Sequence, residues 1–180
     1  MKKLFLISYI LFFMPSFGQS IAQLDEKNGF KDFKLGDSYS KWSSQLKYGG
    51  KNSDNTEAYD YVGTCCNMLF NYPLKNIRLI FSNSKLIGIM LQTTYFQKPY
   101  NISNEFTKWR SQDFESINDS FTQLFGEPTS AKLEEASFSW TGRKVTLIST
   151  YDYLGVRNGD QQNIIIISLD YLKSIKKNAF

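Results

Sequence analysis

The stretch IRLIFSNSKLIGIML, residues 77–91, decides the fold of this 180-residue chain. Apolar residues alternate with other residues in both of its halves, which is the period of a β-strand with one buried face. A polar turn sequence, Ser82-Asn83-Ser84-Lys85, separates the halves. Two alternating runs joined by a short turn predict an antiparallel hairpin. The alternating residues are Ile77, Leu79, Phe81, Ile87, Ile89 and Leu91.

Two further strands are predicted before this hairpin. The apolar residues around Phe33 indicate a short strand that ends at Gly36, and Tyr59, Tyr61 and Val62 indicate another. Between these two strands, residues 50–57 are polar and carry no strand pattern, which predicts a loop.

The region after the hairpin predicts three more strands. Phe138 and Trp140 begin the first, and alternation over residues 145–153 gives the second. A polar loop is expected at 154–163. The uninterrupted β-branched run 164–167 favours a central strand over an edge strand.

Two principal helices are predicted. Asp37 or Ser38 can cap the first, which would place Tyr39, Trp42 and Leu46 on one face and end at Gly49-Gly50. Ser103 is the cap expected for a longer helix that ends at Gly126 and Pro128. The apolar stripe of this longer helix comprises Phe106, Trp109, Ile117, Phe121 and Leu124.

The order of these elements predicts an α+β fold, in which two helices pack on a mainly antiparallel sheet. A glycine flanks each helix and strands follow it, so the chain could consist of two similar helix-then-strands halves that share one sheet. No linker or shift in composition divides residues 23–180, which predicts a single domain.

Two segments resemble parts of one known module. The first is Phe33-x-Leu35-Gly36-x-Ser38, followed by Trp42 and Leu46. The second is Leu124-Phe125-Gly126-x-Pro128-Thr129, followed by a strand with Trp140. Both resemble the small α+β fold of outer-membrane-assembly lipoproteins and of β-lactamase-inhibitor proteins. The resemblance implies action by protein–protein contact and supplies no catalytic residue.

Residues 1–22 are interpreted as a secretory signal peptide. Lys2 and Lys3 precede a short apolar run, and small residues follow it, so cleavage is expected before Gln19 or Gln23. The first cysteine is Cys65, which disfavours a lipid anchor at the cleavage site. We therefore expect an extracytoplasmic protein, periplasmic or secreted, with no transmembrane segment in the mature chain.

The composition excludes several function classes. The chain has no histidine, which excludes Ser-His-Asp and Cys-His catalysis. Removing Lys2 and Lys3 leaves 19 basic and 17 acidic residues, a net charge of +2 that argues against nucleic-acid binding. No motif predicts a catalytic residue, a cofactor or a metal. The acidic pairs Asp25-Glu26 and Glu134-Glu135 are expected on the solvated surface, and the lysines at 173–177 in a solvated tail.

Cys65-Cys66 is the one unusual pair of reactive side chains. Three interpretations stay open: a vicinal disulfide acting as a redox or ligand-gripping element, one buried and one half-exposed thiol, and pairing between molecules. In a strand the two side chains would point to opposite faces and could not pair.

Aromatic residues between the hairpin and the longer helix suggest a contact surface formed by Tyr95, Phe96 and Tyr100. They could instead cover the seam between helix and sheet. The sequence thus predicts an exported, non-enzymatic module that binds an unknown protein partner. The alternatives are a small-ligand binder with a cavity between sheet and helices, and a vicinal-thiol redox protein.

Overall fold

A computed structural model of the protein describes residues 20–94, 112–153 and 160–178, which form an α+β fold around one large antiparallel sheet. The helices are α1 (Ala22–Lys27), α2 (Tyr39–Trp42), α3 (Gln112–Phe125) and α4 (Leu169–Asn178), with a 3-10 turn at Ser43–Gln45. The strands are β1 (Gly29–Phe30), β2 (Phe33–Lys34), β3 (Leu46–Lys51), β4 (Glu57–Tyr61), β5 (Met68–Leu69), β6 (Tyr72–Ser82), β7 (Lys85–Thr93), β8 (Ser130–Lys132), β9 (Ser137–Thr141), β10 (Val145–Tyr153) and β11 (Asp160–Ser168).

The order of strands across the sheet is β3-β4-β6-β7-β11-β10-β9-β8, with β5 paired to β6 beside it. The first four strands of this path come from the first half of the chain and the last four from the second half. The halves run in opposite order and meet where β7 pairs with β11. The strands match the prediction of two halves that share one sheet, but the predicted helix of the first half is reduced to the single turn of α2.

The predicted hairpin is confirmed as β6 and β7. Its turn residues Asn83 and Ser84 have φ angles of 47° and 61°, the left-handed values that a two-residue hairpin turn requires. The register shifts after Ile80, which pairs with Gly88, so that Phe81 pairs with Leu86. Leu86 is therefore buried beside the predicted core positions, and Ile87 is only half-buried.

One face of the sheet carries the core, and α3 packs on it. Phe114 of α3 contacts the ring of Tyr151 at 5.3 Å, and Phe121 contacts Trp140 at 5.5 Å. Gly126, with φ of 82°, ends the helix as predicted, and its carbonyl accepts a hydrogen bond from Trp140 Nε1. The part of the predicted stripe at Phe106 and Trp109, and the cap Ser103, lie outside the described residues.

The first predicted helix is wrong beyond its opening turn. Helix α2 ends at Trp42, and Leu46 begins β3 instead of occupying the helix face. The reason is long-range pairing, because Leu46 lies opposite Tyr61 and Tyr48 lies opposite Tyr59. The glycines expected to end the helix form a bulge in β3, where Gly50 has φ of 135°. The pairing of β3 with β4 therefore determines the structure here, although the apolar residues have the spacing of a helix.

Two predictions near the C-terminus are also corrected. Residues 160–163, expected in a polar loop, begin β11, because they continue the ladder opposite β10 and β7. The lysine-bearing tail forms α4, which starts directly after β11. The Tyr171 hydroxyl of α4 donates a hydrogen bond of 2.5 Å to Asp54 Oδ2 in the β3–β4 loop.

Asp25 corrects the expectation that both acidic pairs are solvated. Its carboxylate accepts backbone hydrogen bonds from Arg143, Lys144 and Val145 at 2.7 to 3.1 Å. A Cβ atom at Gly142 would lie 2.4 Å from Asp25 Oδ1, so only glycine lets the two segments approach this closely. We call this contact the Asp25 clasp. In the parts of the chain that the structure describes, no helix has the length and apolarity needed to span a bilayer.

Candidate functional site

Cys65 and Cys66 lie in an irregular turn between β4 and β5, not in a strand. Cys66 has φ of 67°, a left-handed value that a side-chain-bearing residue seldom adopts. This turn brings both sulfur atoms to the same side of the backbone, with the two Sγ atoms 2.6 Å apart. The geometry that separates neighbouring side chains in a strand is therefore absent here. Cys65 is half-buried and Cys66 is buried, and both are free thiols.

Each thiol has a hydrogen-bond partner besides the other sulfur. Cys66 donates to Asp32 Oδ2 over 3.7 Å. The Tyr61 hydroxyl lies 3.0 Å from Cys65 Sγ and donates its own proton to Gln45 Oε1 at 2.8 Å, so Cys65 is the donor in the contact with Tyr61. The two sulfurs also share a hydrogen bond with each other, in which either thiol can be the donor.

The site rests on an aromatic cluster. The Tyr61 ring packs edge-on against buried Phe33, with ring centroids 4.9 Å apart, and Phe33 packs against Trp42 at 4.6 Å. Gly63 leaves the room that Tyr61 needs, since a Cβ atom there would lie 2.2 Å from both Tyr61 Oη and Gln45 Oε1. The backbone around the cysteines is thereby held by well-packed neighbours.

Burial governs the protonation of this site. It raises the pKa of the Cys66 thiol to about 11, and the contact with Cys65 and the charge of Asp32 act in the same direction. Burial, followed by the contact with Cys65, raises the pKa of Tyr61 to about 12. Cys66 and Tyr61 are therefore protonated at neutral pH. A reaction of Cys66 as a thiolate needs a nearby group that accepts its proton.

Within the described residues, one group of side chains could hold a metal ion, and it includes both cysteines. The ligand atoms of Asp32, Cys65 and Cys66 lie within 4.8 Å of one another. Two thiolates on one tetrahedral zinc ion, at about 2.3 Å each, stand about 3.8 Å apart. The observed separation is 2.6 Å, so the two sulfurs would have to move apart before both could ligate one ion. The pair is arranged for a contact between sulfur and sulfur.

A cluster of tyrosine side chains, one of them exposed, lies at the edge of the sheet that β3 forms. Tyr48 is 58% exposed there, and its ring contacts Tyr59 at 5.4 Å. Tyr59 also contacts Tyr39 at 4.9 Å, and buried Phe81 packs edge-on beneath both of these rings. We call Tyr39, Tyr48 and Tyr59 the tyrosine edge. Such clustered aromatics supply large contact area at low entropic cost.

The structure describes only some of the predicted site residues. Cys65 and Cys66 are brought together, whereas Tyr95, Phe96 and Tyr100 lie outside the described residues. Sequence reasoning missed the tyrosine edge because Tyr48 fell within the expected first helix, which was predicted to end at Gly49-Gly50. It missed Asp32 because only the tertiary fold brings the β1–β2 turn to the cysteines.

Comparison with protein-family models, curated proteins and solved structures finds no match to this chain. The resemblance to assembly lipoproteins and β-lactamase inhibitors therefore stays a prediction.

Proposed function

We propose that the protein is an exported, non-enzymatic domain that binds another protein along the tyrosine edge. The observation that carries this proposal is the 58% exposure of Tyr48 on the outermost strand of the sheet. A large aromatic side chain left in water at a strand edge is typical of a contact surface.

The edge strand favours a particular kind of partner. Within the described ranges, β3 pairs with β4 alone, so the backbone groups along its outer side are open to another extended segment. Lys47 and Lys51 are exposed on β3, which favours a partner segment with acidic side chains. A second copy of the chain paired along the same edge would place two lysine-bearing strands side by side. The partner that fits is a different protein with an extended acidic segment.

Site-specific photocrosslinking tests this proposal. A photoreactive phenylalanine analogue replaces Tyr48 in the full chain, expressed in its native host. Leu133, next to the opposite edge strand β8, is the matched control because it is 60% exposed. We expect one defined adduct from position 48 and none from position 133. A Lys47→Glu, Lys51→Glu double variant should abolish the adduct, because it repels an acidic segment.

Three results would count against the proposal. The first is equal crosslinking at positions 48 and 133. The second is an adduct formed only with another copy of the chain. The third is an adduct that survives the double charge reversal.

A further inference from the structure

We propose that Cys65 and Cys66 form a redox site, which closes reversibly to a disulfide within the turn by exchange with a low-molecular-weight disulfide. This role is separate from binding at the tyrosine edge. Asp32 is the positioning residue that accepts the proton of Cys66.

The first argument is the arrangement of the turn before any bond forms. Vicinal cysteines in an extended chain keep their sulfurs apart, whereas here the left-handed conformation of Cys66 sets the sulfurs 2.6 Å apart. Cys65 also contacts the Tyr61 hydroxyl, and Cys66 donates a hydrogen bond to Asp32. Forming the disulfide between Cys65 and Cys66, which closes a ring within the turn, therefore requires removal of the thiol protons and a small approach of the sulfurs. The turn itself need not be rebuilt.

The second argument is that the two thiols differ in their exposure to solvent. Cys65 is half-buried, so a small disulfide in solution reaches it first. Its thiolate, formed by loss of a proton to solvent, attacks one sulfur of the small disulfide. This step forms a mixed disulfide on Cys65 and releases one small thiolate, which takes up a proton from water.

Ring closure completes the exchange. Cys66 transfers its proton to the Asp32 carboxylate, and its sulfur attacks the Cys65 sulfur. The mixed disulfide breaks, and the second small molecule leaves as a thiolate that takes up a proton from water. Asp32 returns its own proton to water, since Asp32 is exposed. In the net reaction the two protein thiols lose two electrons and two protons. The small disulfide gains them and becomes two thiols. A disulfide between neighbouring residues is strained and readily reduced, so the reaction runs in both directions.

The experiment uses the reduced full chain as recovered from cells and oxidised glutathione as the probe. Samples are quenched with acid over time and weighed by mass spectrometry. We expect the wild-type chain to lose two hydrogen atoms and to regain them with excess reduced glutathione. A Cys66→Ser variant should stop as a stable glutathione adduct on Cys65.

The role of Asp32 is tested by the step that it affects. The Asp32→Asn variant should accumulate the Cys65 adduct, because ring closure slows by about tenfold or more without a proton acceptor. Its closure rate should then rise steeply with pH. The Asp32→Glu variant should restore closure, and the exposed control Glu134→Gln should match the wild type. A purely structural role for Asp32 would not shift the adduct-to-ring ratio or the pH profile.

Two results in the wild-type chain would overturn the redox site itself, whatever the variants do. One is a chain that keeps two alkylatable thiols in excess oxidised glutathione. The other is oxidation that yields only disulfides between molecules. Retention of zinc on both cysteines, with oxidation blocked until the metal is removed, would overturn it in favour of a metal site. Unchanged closure in the Asp32→Asn variant would overturn the role of Asp32.

Discussion

Asp25 joins the first helix to a turn that lies 118 to 120 residues further along the chain. Its carboxylate loses solvation there, which alone would raise its pKa, but the three backbone hydrogen bonds and the charge of Lys144 outweigh that loss and lower the pKa. The sequence contains no sign of this contact, because an acidic pair in a polar segment usually faces solvent. A side chain recruited to satisfy distant backbone groups becomes visible only in the tertiary fold.

The Asp25→Asn variant should be less stable than the wild type by about 1–3 kcal/mol, since the amide replaces a charged acceptor of several hydrogen bonds. Urea unfolding at neutral pH measures the difference as a shift of the midpoint. Glu26→Gln is the control, because Glu26 is an exposed neighbour of the same type. An equal loss in both variants would mean that the clasp contributes nothing specific.

The two cysteines show which properties of a site can be predicted from the sequence of single residues. Their adjacency, and the expectation of one buried and one half-exposed thiol, could be read from the sequence, and the burial is confirmed. Whether they face each other depends on the backbone, and the left-handed φ of Cys66 is not encoded by any nearby glycine pattern. The turn brings the two sulfurs together, and the redox interpretation stays a proposal.

At the scale of elements, the predictions succeeded where one face of a strand is buried. The hairpin of β6 and β7 follows directly from its alternation, because slipping by one residue would expose the whole apolar face. The first helix was misjudged because Tyr39, Trp42 and Leu46 have helical spacing but belong to two different elements. Periodicity over two turns of helix cannot distinguish these cases.

Helix α1 discriminates between the two expected cleavage sites. Gln23 N donates to the carbonyl of Ser20, and Leu24 N donates to that of Ile21, so a cut before Gln23 would remove both acceptors. Ile21 also packs against the core. We therefore predict that the exported chain begins at Gln19. The intact mass of the protein recovered outside the cytoplasm measures this directly.

A mature chain that begins at Gln23 would contradict this prediction, and a chain of full length would contradict export. As a control, the Leu24→Ala variant should lose stability and keep the same start. Leu24 is buried in the core but lies beyond both expected cleavage sites.

At the scale of the whole molecule, four aspartates have a lowered pKa in the folded state. In Asp25 and Asp37 hydrogen bonds outweigh the opposing effect of burial, whereas in Asp54 and Asp60 the largest contributions come from Tyr171 and Arg78. A carboxyl group with a lowered folded pKa stabilises the fold above its ordinary value of 3.8. That stabilisation is lost as the pH falls below 3.8 and through the folded pKa values.

The free energy of unfolding should therefore be nearly constant between about pH 5 and pH 7 and should fall steeply below about pH 4. Urea titrations across this range measure it. The Asp25→Asn variant should show a shallower fall, since one of the four groups is gone. Equal stability at about pH 2.5 and pH 5 would show that the lowered pKa values do not govern the acid response.

The pairing of β7 with β11 also bears on how the chain reaches its fold. Each half can first form a local meander, in which neighbouring strands are joined by short connections and meet quickly. The seam between the halves joins residues 88–92 to residues 163–167, so we expect it to form late and to limit the rate of folding. A polypeptide emerging from the ribosome cannot finish its sheet until nearly all of it has been made. That delay suits the proposed export, in which the chain crosses a membrane unfolded and folds afterwards.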